Sequence, residues 1–280
     1  MRSMAQTLRS AFQRTFRREN RRASIRRGRL ERIPAVESQI LGNQRDLTIY
    51  LPPGYDERQE RRYPVLYMQD GQNLFDPERA FVPGNHWHLA ESADEAIGGA
   101  DAEAVIIVGI DHAGSARIDE YTPTRSEAKK GGGKAADYGR MVVEELKPMI
   151  DARFRTRADR DHTAIGGSSL GGLVSLYLVL TRSDVFGRAA VMSPSVWWDN
   201  RAILASVDAF EGDKPLIWVD IGGREGKEAL TDARALRDRL RAKGWNDMNF
   251  RFHEDRRADH SERAWAARAK TVLEFLFAPE

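Results

Sequence analysis

The chain has 280 residues, 41% of them apolar and 31% charged, which is enough apolar material for a substantial core in one large domain or two smaller ones. Its formal charge of +2 hides an asymmetry: residues 1–33 hold eleven arginines against two glutamates, a net +9, leaving 33 basic against 40 acidic residues, a net −7, on the rest. The absence of cysteine excludes disulfides, thiolate catalysis and cysteine-ligated zinc or iron–sulfur centres.

Residues 1–33 carry few apolar side chains, chiefly Leu8, Phe12, Phe16 and Ile25. They read as a basic tail, disordered or loosely helical, ahead of a domain covering residues 34–280. The same composition also suits a nonspecific contact with nucleic acid or an anionic surface, or a transit-like leader. Arg21-Arg22-Ala23-Ser24 has the form of a basic kinase site, a match that Arg-rich tails produce easily. No apolar stretch follows the arginines as a secretory signal requires, and no run of 18 apolar residues occurs. The expectation is a cytoplasmic chain with no membrane span.

From Leu30 the character changes. Residues 30–39 and 46–51 read as strands, closed by the turn Pro52-Pro53-Gly54-Tyr55. Residues 63–68 are a fully apolar run, the first interior strand, ending in Asp70-Gly71-Gln72-Asn73. His86 and His88 are spaced for a metal only if that stretch were a strand; loop histidines are the simpler reading. Residues 104–110 do not alternate, as in a parallel sheet covered on both faces. Gly131-Gly132-Gly133-Lys134 is not a phosphate-binding P-loop, since Ala128 and Ala135 stand where Gly and Ser or Thr are required. It reads as a mobile loop near the site mouth. Apolar positions Tyr138, Met141, Val142, Leu146, Met149, Ile150 and Phe154 recur three and four apart and predict a surface helix.

Next comes Gly166-Gly167-Ser168-Ser169-Leu170-Gly171-Gly172, between a short strand and an apolar helix. A serine presented at the tip of a strand-to-helix turn has a strained backbone, and its neighbours must lack bulk. Gly167 and Gly171, two before and two after Ser169, meet that need in the G-x-S-x-G pattern. Ser168 does not, because Leu170 lies two after it. The turn also leaves the amide of Leu170 free at a helix N-terminus to hold a developing oxyanion. A plain Gly/Ser turn or a phosphate loop would share the composition. Strands then follow at 186–192, 216–221 and 249–253, with helices at 227–241 and 262–277. Alternating strands and helices without a linker or internal repeat predict one α/β domain.

A nucleophilic serine needs a base and an orienting carboxylate. Of six histidines only His253 and His260 lie downstream of Ser169, and His260 sits in a polar loop rather than in a strand. Glu225 lies on the turn past the strand at 216–221, with Asp220, inside that strand, as its rival for the acid. In a doubly wound sheet ligands gather at the strands' carboxyl ends. The Asp70-Gly71-Gln72 turn should therefore face Ser169, with the Gln72 amide as second oxyanion donor, unless it is an ordinary Asp-Gly turn. Trp87, Trp197 and Trp198 either wall a substrate pocket or pack the core.

Together with Tyr67-Met68-Gln69-Asp70-Gly71-Gln72-Asn73, Glu120-Tyr121-Thr122-Pro123, Ser193-Pro194-Ser195-Val196-Trp197-Trp198, Gly222-Gly223-Arg224-Glu225 and His260-Ser261-Glu262 with Trp265, these residues resemble the esterase D-like family of α/β-hydrolases. That family includes siderophore-ester hydrolases, feruloyl and acetylxylan esterases and mycolyltransferases. The resemblance runs from about residue 35 to the C-terminus. It implies an α/β-hydrolase fold, with a mostly parallel central sheet and helices on both faces. It also implies a serine carboxylic-ester hydrolase acting on a small-molecule, sugar- or siderophore-type ester. Ser169 falls on the nucleophile's place, His260 on the base's and Glu225 on the acid's, with Gln72 and Leu170 as oxyanion amides. No cofactor or metal is implied. An acyltransferase would share every one of these residues, and a non-catalytic binding protein could use the same scaffold. The Arg-rich tail lies outside the family's pattern.

Overall fold

Strands whose side chains are apolar on both faces need cover on both sides, and the chain supplies it by alternating them with helices. The computed structural model describes residues 26–279, so what is expected of residues 1–25 lies outside the described residues. The chain begins with β1 (Arg29–Ser38), β2 (Asn43–Leu51) and β3 (Val65–Gln69), then α1 (Leu89–Gly98) and β4 (Ile106–Ile110). A short helix α2 (Arg117–Glu120) leads to the two-residue strands β5 (Arg125–Ser126) and β6 (Gly131–Gly132). Next come α3 (Ala135–Arg140) and α4 (Lys147–Arg153), then β7 (Thr163–Ser168) and α5 (Leu170–Thr181). The remainder runs β8 (Arg188–Met192), α6 (Ile203–Ala209), β9 (Leu216–Gly222), α7 (Lys227–Ala242), β10 (Phe250–Asp255) and α8 (Glu262–Leu276).

The main sheet has the order β1-β2-β4-β3-β7-β8-β9-β10. β1 and β2 are antiparallel to their neighbours, and the six strands from β4 to β10 are parallel. Strand residues alternate between two buried layers. Val65, Tyr67, Ile106 and Val108 face one way with Tyr138, Met141 and Leu146 of the 135–153 helical segment and Leu173 of α5. Leu66, Met68 and Ile107 face the other, against Leu89 of α1 and Trp265, Val272 and Leu276 of α8.

β1 runs from Arg29 to Ser38, matching the strand read at 30–39, so residues 29–33, grouped by charge with the tail, lie in the sheet. Arg29 pairs with Asp56 at 2.8 Å and Arg32 with Asp46, and basic side chains on an outermost strand oppose edge-to-edge association. The expected single helix over 138–154 widens into a π-helical turn at Met141–Leu146, just ahead of Pro148, which has no N–H to return to the preceding turn. Its apolar stripe is buried as the spacing predicts. The triple glycine is not a free loop: Gly131 and Gly132 pair with Ser126 and Arg125. At Gly132, with φ of +95°, an added Cβ would come within 2.5 Å of the Trp198 ring, so only glycine fits.

Candidate active site

All six parallel strands end on one edge of the sheet, and the strand order reverses between β3 and β7. That is where a doubly wound sheet opens a crevice. Ser169 follows β7 directly, with φ of 57° and ψ of −121°, a strained conformation held from both sides. Its N–H donates to the Met192 carbonyl at 3.0 Å, and its own carbonyl accepts from Leu173 and Ser195. A Cβ on Gly167 would lie 2.9 Å from the Gln69 side chain and from the Gly171 backbone, which is why the turn closes only on glycine.

The sequence-predicted trio comes together. Ser169 Oγ lies 3.0 Å from His260 Nε2, and His260 Nδ1 lies 2.6 Å from Glu225 Oε2. His260 is carried by the loop after β10, its ring set edge-on to Trp265 with centroids 4.9 Å apart. The side chain of Glu225 is only 2% exposed, whereas that of His260 is 44% exposed. Burial by itself would raise the Glu225 pKa. Hydrogen bonds from His260, from the Ser193 hydroxyl and from the Gly222 amide outweigh it and hold the carboxyl below its usual range. Asp220 takes no part in the trio: it is fully buried and bound to Trp218, Arg268 and the Ser193 amide. His253 lies in β10 beside Trp218, and His86 stacks on His88 with ring centroids 3.8 Å apart.

Leu170 is the first residue of α5, so its amide has no partner within the helix. Gln72 is the middle residue of a 3-10 turn, Gly71–Asn73, after β3. The turn is pinned by Asp70, which adopts φ of 55°, receives two bonds from Arg117 at 2.7 and 2.8 Å, and donates its N–H to Tyr121 Oη.

An open cleft of about 700 Å³ adjoins His260 and Glu225 and is lined by Trp197, Asn200, Arg201, Glu228 and Asp232. Asp199, Asn200 and Arg201 all have left-handed backbone, with φ of 45°, 54° and 66°. Arg201 binds Asp232 through two nitrogens, at 2.7 and 2.6 Å. Only one of the three tryptophans borders this cleft. Trp197 is 47% exposed, with Lys129 Nζ 5.5 Å from its ring. Trp87 is buried against Trp265, and Trp198 is buried with its Nε1 donating to the Thr124 carbonyl, so neither is a pocket wall. Both rings are spent filling space between elements. Two serines missed by the sequence reading lie beside the trio: Ser195 Oγ is 3.3 Å from Ser169 Oγ, and Ser193 Oγ is 2.6 Å from Glu225 Oε1. The sequence signals for them are their place in a turn after a buried strand and in the Ser193–Trp198 stretch of the family pattern, which assigns neither a role.

At the end of β4, burial pushes the Asp111 carboxyl up to about 6 despite its bond to Arg79, and among the described residues its other oxygen has no hydrogen-bond partner to offset the lost water. A folded pKa above the unfolded value means the native state binds the extra proton. Stability should therefore fall as pH rises from 4 to 6, by roughly 2–3 kcal/mol from this group alone. Urea melts at pH 4 and 7 check this: Asp111→Asn should flatten the difference, and an unchanged slope would show the carboxyl ionised throughout.

The family described as "Putative esterase" matches residues 38–275. Among curated relatives, "Uncharacterized protein YbbA" of Bacillus subtilis is 25% identical, over 84% of this chain and 93% of its own. The ferri-bacillibactin esterase BesA of the same organism is 28% identical over 64% of this chain and 64% of its own, so less than two thirds of that relative is spanned. Among solved structures, a ferulic acid esterase superposes with a TM-score of 0.72 at 20% identity, covering 90% of this chain and 98% of its own. Among the described residues no helix is long and apolar enough to cross a membrane.

Proposed function

We propose, for a chain that belongs to this esterase family and is a carboxylic ester hydrolase, that hydrolysis runs through an acyl-enzyme on Ser169. The observation that carries the proposal is the unbroken row from Ser169 Oγ through His260 to Glu225, at 3.0 and 2.6 Å, assembled from the ends of three different strands. With the Nδ1 proton given to Glu225, His260 Nε2 is left as an acceptor for the serine proton. Ser169 attacks the ester carbonyl, and the imidazolium that forms is stabilised by the buried carboxylate. The alkoxide departs with the proton from Nε2. Water, deprotonated by the same nitrogen, then releases the acid.

The amides of Gln72 and Leu170 are the proposed donors to the oxyanion, each worth about 3 kcal/mol in the transition state. The substrate proposed is a small-molecule ester with a hydroxyl-rich alcohol half, as in sugar- and siderophore-type esters. A cleft offering Asn200, Glu228 and one open tryptophan face, with Arg201 and Asp232 paired in its wall, suits such a group better than a long alkyl chain.

The test is labelling with a fluorophosphonate, with the adduct located by mass spectrometry. Wild type should carry it on Ser169, and Ser169→Ala should carry none. An adduct on another serine, or equal labelling of both proteins, removes Ser169 from the mechanism.

A further inference from the structure

Beneath Glu225 lies a buried polar cluster that the mechanism above does not use. Ser193 follows β8 with φ of 41°, and its hydroxyl meets three partners. It receives N–H bonds from Trp265 Nε1 at 3.0 Å and Arg268 Nη2 at 3.2 Å, and it lies 2.6 Å from Glu225 Oε1. A hydroxyl has one proton and two lone pairs. With both lone pairs facing N–H donors, its proton has one place to go, the Glu225 carboxylate.

The cluster is anchored below. Arg268 Nη2 also donates to Asp220 Oδ1 at 3.0 Å, Trp218 Nε1 holds the other Asp220 oxygen at 2.8 Å, and Asp220 Oδ1 accepts from the Ser193 amide. Arg268 is 4% exposed and Asp220 fully buried, so the pair sits in a medium where its field is little screened. Register explains the convergence, because Met192 lies opposite Asp220 across the β8–β9 ladder. That brings the next residue, Ser193, onto the carboxylate.

We propose that Ser193 is a positioning residue. Its hydroxyl, polarised one way by Trp265 and Arg268, holds Glu225 ionised and aimed at His260. Asp220 anchors this device rather than competing with Glu225 for the histidine. The proposal rests on the acyl-enzyme reading of the site. Ser193 borders the cleft, but its hydroxyl is bonded to Glu225, Trp265 and Arg268 and to neither Ser169 nor His260, so its contribution to the proton transfer passes through Glu225.

A double-mutant cycle on the full chain, using a p-nitrophenyl ester, tests it. Ser193→Ala should lower kcat by about 10- to 100-fold, the usual effect of losing a hydrogen bond to a charged group, with KM within about twofold. In a Glu225→Ala background the same change should cost less than about twofold, because the residue it acts through is gone. Ser193→Gly repeats the test with the residue that tolerates φ of 41° best, should the alanine variant fold poorly. An equal loss in both backgrounds, a loss expressed in KM, or no loss in either overturns the proposal. A wild type that turns over no ester and takes no label on Ser169 fails earlier, and overturns the acyl-enzyme reading with it.

Discussion

Ser169→Ala is expected to lower kcat for ester hydrolysis by about 10⁴- to 10⁶-fold, and His260→Ala to fall in the same range. The reason is the shared task. The serine hydroxyl is a poor nucleophile until Nε2, 3.0 Å away, takes its proton, and the imidazole has nothing to activate once the hydroxyl is gone. The Ser169→Ala/His260→Ala double variant should therefore be no worse than the poorer single one. The residual rate should stay above that in buffer, supplied by binding and by the amides at the helix terminus and the Gln72 turn. Initial rates on an activated ester, with all three variants matched for melting temperature, check this. Additive losses, multiplying across the two sites, would show that the two residues act separately.

Glu120→Ala should be the most damaging single change to stability outside the active site. Glu120 closes α2, and its side chain is 2% exposed beside Arg45 of β2, 1% exposed, with both guanidinium contacts at 3.1 Å. Asn43 donates to the same carboxylate at 2.7 Å, and the Tyr138 ring lies 5.5 Å from the guanidinium. Removing the carboxylate strands a cation in the core, which costs about 3–5 kcal/mol. For a chain of this size the melting temperature should fall on the order of 10 °C. Arg45→Met on top of Glu120→Ala should recover part of the loss, because the double variant no longer buries an unpaired charge. Circular-dichroism melts of the three variants decide it; a shift under about 2 °C for Glu120→Ala would mean the pair is solvated in practice.

Whatever depended on local spacing was legible in the sequence. Gly167 and Gly171 mark the elbow as a pattern within five residues, although the room they leave is taken up by the turn's own backbone and by Gln69 of β3. The parallel sheet followed from non-alternating apolar runs, and the choice of Glu225 over Asp220 from which residue lies past a strand end. What stayed open in the sequence depends on contacts between distant segments. Trp87, Trp197 and Trp198 are chemically alike, and only packing against α8 or the 124–132 hairpin separates the buried pair from the exposed one. The roles of Arg268 and Ser193 are set by the β8–β9 register and by where α8 lands. Glu120-Tyr121 belongs to the family pattern, which assigns the pair no role. Structurally, one residue neutralises Arg45 and the other holds the amide of Asp70, so the pair braces the turn that carries Gln72.

Among the described residues the strand that carries the histidine loop is the outermost of its side of the sheet: β10 pairs with β9 alone, while the strand beneath the serine is gripped by β3 and β8. The two halves of the proposed proton transfer therefore belong to regions of unequal mechanical support. Fraying of that rim would part imidazole from hydroxyl while the centre of the sheet stayed intact. Catalytic competence would then be lost ahead of the global melt, making turnover a finer gauge of this rim's integrity than any whole-molecule spectroscopic signal.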